Sequence, residues 1–139
     1  IDLSDEMIAH AKKNHPNIIF QTGNMLKMDQ AEATVGSLIA FYSIVHFEYD
    51  QISMAFSEVN RVLKKDGQFL LSFHVGEKTV HFDKANDIDV DIDLYFWQTD
   101  AILELLHNNN FRIIDAIERH PYPDVEYPSR RAYVWVEKK

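Results

Sequence analysis

The sequence predicts an α/β domain whose strands lie mostly parallel in one sheet. Apolar runs of strand length alternate with amphipathic helices, and the run over 37–45 (SLIAFYSIV) is apolar almost throughout. A continuous apolar run is typical of a parallel strand that is covered on both faces. The chain has 139 residues, which is enough for one core and too few for two. We therefore expect a single domain over 1–139.

The composition is that of an ordinary globular chain. Apolar residues make up 46% and charged residues 26%, the net charge is −8, and there is no cysteine. These values argue against disorder, a disulfide framework and a thiolate metal site. An acidic chain lacks the basic patches that nucleic acid and anionic membranes attract, so neither is an expected partner. The chain shows no signal peptide and no apolar run near the roughly 20 residues of a membrane span, so we expect a cytoplasmic protein.

The first elements of the alternation come from the N-terminal third of the chain. The segment 1–3 is predicted to be the end of a buried strand. Ser4 is a good N-cap for a helix that stops before Pro16. Residues 17–21 (NIIFQ) are predicted to form a short strand, and 23–25 (GNM) a turn.

The middle of the chain holds the clearest helix. Apolar residues over 52–63 recur at helical spacing, and basic residues followed by Gly67 are expected to close the helix. Residues 68–75 (QFLLSFHV) are predicted to form a buried strand. Thr99 is the expected cap of a third helix that ends in the asparagine run 108–110.

The last two strands depart from the alternation. Residues 111–117 and 132–136 are predicted strands, and the Pro-rich loop 120–129 joins them without a helix. Consecutive strands without a crossover helix pair antiparallel. We therefore expect one antiparallel strand near the C-terminus, a feature that separates this pattern from a plain dinucleotide-binding Rossmann fold.

Five stretches carry a family resemblance: 1–7 (IDLSDEM), 23–25 (GNM), 41–47 (FYSIVHF), 58–67 (EVNRVLKKDG) and 111–138. In this order they resemble the class I S-adenosylmethionine-dependent methyltransferases, in their small-molecule bacterial branch. The resemblance covers essentially the whole chain. It implies a Rossmann-like sheet, S-adenosyl-L-methionine as cofactor and methyl transfer to a small-molecule acceptor.

The resemblance also implies that the domain is partial, because the family's first strand and glycine-rich loop should lie before Ile1. That strand would lie between Asp2 and the strand over 37–42. Without it, backbone groups on both sides would lack partners, at about 1–3 kcal/mol for each buried group. We expect residues 1–139 alone to be inactive, to bind the cofactor weakly and to unfold without cooperativity as a monomer. Re-pairing of the strands with a second copy would give a homodimer.

The resemblance implies a cofactor site at the carboxyl ends of the strands. Asp2 would accept hydrogen bonds from the ribose hydroxyls, or would only assist Ser4 at the helix start. Leu3 and Met7 would flank the adenine, or would belong to the core. Asn24 stands where the family usually has an aspartate that accepts from the adenine amino group, although it is also a good turn former. The other cofactor-binding candidates are Met25, Tyr42 and Ser43.

The methyl acceptor is expected at the same edge of the sheet. Methyl transfer from a sulfonium is an in-line displacement, so a base is needed only where the acceptor must lose a proton. His46 is the candidate base, and His74 is a candidate substrate contact; a structural role is open for both. Tyr95 and Trp97 would line the substrate site or plug the core. They follow the acidic segment 87–93, which is predicted to be a strand or extended lid with one solvated face.

Other interpretations stay open at this point. A nicotinamide-dependent oxidoreductase would also hold a ribose with a carboxylate, but the closing antiparallel pair and the lack of a Tyr-x-x-x-Lys pattern weigh against it. A non-catalytic, truncated interaction module is the third interpretation. The segment 87–93 lacks the glycine and closing glutamate of a calcium loop, and the histidines show no ligand spacing, so no metal site is predicted.

Overall fold

The computed structural model describes residues 1–85 and 88–139. Within these residues the helices are α1 (Asp5–Asn14), a 3-10 helix (Ile44–His46), α2 (Tyr49–Val62) and α3 (Thr99–Asn108). The strands are β1 (Val35–Phe41), β2 (Leu63–Val75), β3 (Thr79–Ala85), β4 (Ile88–Tyr95), β5 (Phe111–Arg119) and β6 (Arg130–Lys138). None of the helices in this part of the chain is long and apolar enough to cross a membrane.

The main sheet has the strand order β1-β2-β6-β5. β1 runs parallel to β2, whereas β6 is antiparallel to both of its neighbours. The α/β class and the antiparallel strand over 132–136 are therefore confirmed. The prediction of a mostly parallel sheet is wrong for the described residues, because one of the three strand pairs in this sheet is parallel and two are antiparallel.

The N-terminal segments explain this difference. The predicted strands over 1–3 and 17–21 are reduced to one parallel bridge between Asp2 and Thr22. Two backbone hydrogen bonds hold it, from the Asp2 amide to the Gln21 carbonyl (3.2 Å) and from the Gly23 amide to the Asp2 carbonyl (2.9 Å). Ile19, in the predicted strand, is 87% exposed. An apolar run of this length needs a covered sheet to be buried, and within residues 1–85 and 88–139 the bridge to Asp2 is the only strand pairing beside it.

The hydrophobic core lies between one face of the main sheet and the helices α2 and α3. Helix α2 buries five residues at the predicted spacing: Ile52, Ala55, Phe56, Val59 and Val62. Alternate residues of β2 and β6 meet them: Phe69, Leu71, Phe73, Ala132, Val134 and Val136. Each fully buried valine, leucine, isoleucine or phenylalanine among them contributes about 1.5–3 kcal/mol.

Strands β2, β5 and β6 are longer than predicted, and three other predicted boundaries change in the structure. Helix α2 ends at Val62 and not at Gly67, because the backbone becomes extended at Leu63, where β2 begins. The Lys138 ammonium donates to the carbonyls of Asn60 (2.6 Å) and Leu63 (2.9 Å), and the amides of residues 33 and 34 donate to those of residues 61 and 62. A lysine from β6 thus satisfies groups that the sequence pattern assigned to a glycine cap.

The other two changes concern β1 and α3. The predicted strand over 37–45 ends at Phe41, since the backbone at Tyr42 turns to a φ of 52° and the 3-10 helix follows. The N-cap of α3 is Gln98, one residue before the predicted Thr99. For α1 the predicted cap is confirmed, because the Ser4 hydroxyl accepts a hydrogen bond from the Met7 amide at 3.2 Å.

Strands β3 and β4 form a separate antiparallel hairpin. Asp89, Asp91 and Asp93 are exposed on one of its faces, as the alternation predicted. On the other face Leu94 packs against the core. The start of the acidic segment, Asp87, lies outside the described residues.

The main sheet also carries apolar side chains on the face opposite α2 and α3. Ile39, Phe41, Ile117 and Trp135 are 40–66% exposed there. Their cross-strand register places them on one surface, with Ile39 and Trp135 both opposite Leu70. The exposed apolar residues are therefore neighbours on one face, and Ile39 and Phe41 also line the cleft described next.

Candidate functional site

A cleft of about 650 Å³ lies between the N-terminal segment and β1. It runs along the edge of β1 from Val35 to Phe41, where the resemblance places the family's first strand, so only the part at and beyond the carboxyl end of β1 is a candidate ligand site. It reaches the carboxyl end of β1, the end at which open α/β sheets bind ligands. Six of the predicted site residues line it: Asp2, Leu3, Met25, Tyr42, Ser43 and His46.

Asp2 has both of the features that the sequence suggested. Its Oδ1 atom accepts a hydrogen bond from the Ser4 amide at 2.8 Å, so the carboxylate does assist the start of α1. Within the described residues its Oδ2 atom makes no hydrogen bond, and the residue lines the cleft. Capping and ligand binding are therefore compatible for this side chain.

Asn24 is engaged in a turn. Its Oδ1 atom accepts from the Leu26 amide at 2.8 Å, and its backbone carbonyl accepts from the Lys27 amide at 3.0 Å. These contacts support the turn-forming interpretation, and the adenine contact stays a prediction. Neither Asn24 nor Met7 is among the residues that line the cleft, and Met7 is 58% exposed.

Tyr42 forms the wall of the cleft at the end of β1 and has an unusual backbone. Its φ of 52° is left-handed, which costs a residue other than glycine about 1–2 kcal/mol. Its amide donates to the Ser72 carbonyl at 2.9 Å, and its phenol lies 3.3 Å from the Tyr133 hydroxyl. Burial, together with the hydrogen bond to Tyr133, raises the pKa of Tyr42.

His74 lies next to the cleft but does not line it. Its ring is 5.0 Å from the rings of both Tyr42 and Phe96, and Nδ1 is 2.7 Å from the Ser129 hydroxyl. Burial, and then the positive charge of Arg131, lower the pKa of His74, so the imidazole is neutral at pH 7. Its contacts fit the structural role, and its role as a substrate contact stays a prediction.

Tyr95 and Trp97 stack on each other with ring centroids 6.1 Å apart, outside the cleft lining. Trp97 packs against the hydrophobic core, which agrees with the plug role. Its indole Nε1 is buried and has no hydrogen-bond partner within the described residues. Burial raises the pKa of Tyr95, with a smaller contribution from the charge of Glu48.

A group of polar residues that the sequence did not indicate lies beside Tyr42. Arg119 donates to both carboxylate oxygens of Glu126 at 2.8 Å and to the Tyr133 hydroxyl at 2.9 Å. This pairing with Arg119 lowers the pKa of Glu126 to about 2. These residues are more than 70 positions from Tyr42 in sequence, and no motif relates them to it. The one feature of the sequence analysis close to these residues was the Pro-rich loop 120–129, which gave no indication of a contact with Tyr42.

The described ranges 1–85 and 88–139 contain no group of three or more histidine, aspartate or glutamate side chains placed to hold a metal ion. The exposed carboxylates of β4 are accordingly not gathered around one point. On the hairpin, His81 Nδ1 lies 3.0 Å from Asp93 Oδ1. This hydrogen bond with the carboxylate raises the pKa of His81.

Comparison with known proteins supports the methyltransferase resemblance. Residues 1–67 match a family described as a methyltransferase domain. Demethylmenaquinone methyltransferase from Chlorobaculum parvum is 38% identical over 66 residues, which are 48% of this chain and 27% of that protein. The matched stretch thus spans about a quarter of the length of this curated relative.

Solved structures match along the whole chain. A SAM-dependent methyltransferase from Methanosarcina mazei has a TM-score of 0.85 at 12% identity, over 99% of this chain and 79% of that one. Magnesium protoporphyrin IX methyltransferase from Synechocystis has a TM-score of 0.70 at 14% identity, over 99% and 57%. A 1,6-didemethyltoxoflavin-N1-methyltransferase from Burkholderia thailandensis has a TM-score of 0.71 at 15% identity, over 97% and 57%. The chain therefore has the fold of the S-adenosylmethionine-dependent methyltransferases, and the resemblance of its sequence to that class is confirmed by the methyltransferase-domain match over residues 1–67.

Proposed function

We propose that the protein transfers a methyl group from S-adenosyl-L-methionine to a small-molecule acceptor. The observation that carries the proposal lies at the carboxyl end of β1, where Asp2, from a distant part of the sequence, lines the same cleft as Tyr42 and His46. Two of the similar structures support this proposal, because they contain the cofactor or its product. The Synechocystis enzyme holds bound SAM, and the Burkholderia enzyme holds S-adenosylhomocysteine with its substrate.

The lining of the cleft suits the cofactor. The Asp2 Oδ2 atom can accept from ribose hydroxyls while Oδ1 stays on Ser4. Leu3 and Met25 offer apolar surface for the adenine, and Asn24 can still accept through the second lone pair of its Oδ1 atom. Met7, outside the lining, would reach the adenine only from the exposed side. Tyr42 and Ser43 would then lie toward the reactive end of the cofactor.

For methyl transfer the protein mainly has to align the acceptor with the methyl group and exclude water. When bound, S-adenosyl-L-methionine supplies an electrophilic methyl group on a sulfonium. His46 is exposed in the cleft, so its imidazole is free to accept the proton that an acceptor loses as it takes the methyl group. Tyr95, Trp97 and neutral His74 would border the acceptor from the side of the β3–β4 hairpin. A cytoplasmic location and a homodimer remain predictions.

The test is calorimetric titration of the full-length protein with S-adenosylhomocysteine, followed by labelled-methyl transfer to demethylmenaquinone, magnesium protoporphyrin IX and 1,6-didemethyltoxoflavin as acceptors. Loss of a catalytic base should lower kcat for an acceptor that must be deprotonated by about 10²–10⁴-fold, so we expect this loss in His46→Gln. His107→Gln is the matched control, because His107 is also exposed but lies in the last turn of α3, away from the cleft lining. Absence of S-adenosylhomocysteine binding would refute the proposal; binding with normal turnover in His46→Gln would refute only the role of His46.

A further inference from the structure

We propose that Tyr133 and Arg119 are positioning residues that hold Tyr42 in the wall of the cleft and thereby set the affinity of the ligand bound there. The inference rests on the proposed function and extends it to two residues that do not line the cleft. It concerns a connected set of side chains, which we call the tyrosine tether: Tyr42, Tyr133, Arg119 and Glu126.

The tyrosine tether is continuous from the cleft to the loop between β5 and β6. The phenol of Tyr42 is 3.3 Å from that of Tyr133, and the Tyr133 hydroxyl accepts from Arg119 Nη2 at 2.9 Å. Arg119 in turn binds both carboxylate oxygens of Glu126 at 2.8 Å. A bidentate pair of this kind fixes the plane of the guanidinium, so the donor to Tyr133 has a defined direction.

Glu126 is itself held in place. Its Oε2 atom accepts from the Tyr122 amide at 2.7 Å and lies 3.4 Å from Arg131 Nη1. Its low pKa, about 2, keeps the carboxylate ionised at any pH at which the protein would be assayed. The tether therefore ends on an anchor that ordinary changes of pH do not release.

Tyr42 is the residue that needs such support. Its left-handed φ of 52° is unfavourable for a side chain with a Cβ atom, and such conformations persist only where the surroundings determine them. The amide is held by the Ser72 carbonyl at 2.9 Å, and Tyr133 lies directly opposite Ser72 on β6. The backbone and the phenol are thus fixed by two neighbouring strands. Loss of the phenol contact would leave the ring that forms the cleft wall with its packing on His74 but without its polar anchor.

The experiment is a double-mutant cycle with Tyr133→Phe and Tyr42→Phe, read out as the dissociation constant of S-adenosylhomocysteine. Tyr133→Phe removes one hydroxyl and keeps the ring, so we expect affinity to fall by about 2- to 10-fold, the value of one net hydrogen bond. If Tyr133 acts through Tyr42, this effect should vanish in the Tyr42→Phe background. Arg119→Lys keeps the charge without the bidentate geometry and should also weaken binding.

Trp135→Phe is the matched control, because Trp135 lies two residues along β6 on the same face and makes no contact with Tyr42 in the tether. Its affinity for S-adenosylhomocysteine should equal that of the wild type. Unchanged affinity in Tyr133→Phe, or effects of the two substitutions that simply add, would overturn the proposal.

A second readout does not depend on the ligand. NMR titration of the Tyr42 ring in isotopically labelled protein should show a lower pKa in Tyr133→Phe, because the hydrogen bond to Tyr133 helps to raise it. If the wild type does not bind S-adenosylhomocysteine, the proposed function is wrong. If the pKa of Tyr42 is unchanged in Tyr133→Phe, Tyr133 does not position the phenol, whatever the result for the ligand.

Discussion

Replacing Asp2 by asparagine should separate the two roles of this carboxylate. Oδ1 accepts from the Ser4 amide at 2.8 Å, whereas Oδ2 is free of hydrogen bonds within the described residues. Asparagine keeps a carbonyl oxygen for Ser4 and puts an amide group, which only donates, in place of the free oxygen. The start of α1 should therefore survive in Asp2→Asn, while the acceptor for the ribose is lost.

The expected magnitudes follow from these two contacts. A hydrogen bond to a charged acceptor is worth about 1.5–3 kcal/mol, so Asp2→Asn should weaken binding of S-adenosylhomocysteine by about 10- to 150-fold. Its free energy of unfolding should stay within about 0.5 kcal/mol of the wild type. Asp2→Ala should lose the same affinity and, in addition, about 0.5–1.5 kcal/mol of stability with the Ser4 contact.

Calorimetry with S-adenosylhomocysteine and thermal denaturation of the same preparations would measure both quantities. Glu6→Gln serves as the control, because Glu6 is also an exposed carboxylate at the start of α1 but does not line the cleft. Unchanged affinity in Asp2→Asn together with normal melting would show that Asp2 only assists the helix start, and the ribose assignment would be wrong.

Three further outcomes test the packing and electrostatics. Phe69→Ala should cost about 3–5 kcal/mol in urea denaturation because the ring is fully buried, whereas Phe41→Ala, at 50% exposure, should cost far less; similar losses would contradict the assigned core. Glu126, with a pKa lowered from 4.5 to about 2, should stabilise the fold fully above pH 4.5 and progressively less as the pH falls toward 2. Melting temperatures across that range should therefore fall more steeply in the wild type than in Glu126→Gln, and equal slopes would count against the ion pair. Ile39→Ser combined with Trp135→Ser should reduce binding of a hydrophobic dye, because these residues are 66% and 40% exposed on one face; unchanged fluorescence would mean that the surface is covered.

Local patterns predicted the helices well. The Ser4 cap of α1 and the buried stripe of α2 depend on residues three or four positions apart, which the sequence displays directly. The antiparallel pairing of β6 was equally predictable, because a loop without a helix leaves few other ways to connect two adjacent strands.

Strand content was predictable only where a partner strand exists. The run over 17–21 has the composition of a buried strand, yet Ile19 is 87% exposed and only Thr22 bridges to Asp2. A strand requires a neighbour for its backbone groups, and composition does not reveal whether that neighbour is present. The parallel share of the sheet was overestimated for the same reason.

The sequence by itself determined the α/β class, the cap of α1 and the core face of α2, and it predicted six residues that line one cleft beside β1. Only the tertiary structure decided the long-range contacts: Lys138 binds carbonyl groups at the end of α2, and Tyr133, which accepts from Arg119, lies within hydrogen-bond distance of Tyr42. Helical spacing and capping act within one turn of the chain, so they can be read along the sequence. Contacts between side chains more than 70 residues apart depend on the strand order and register, which are settled when the sheet assembles.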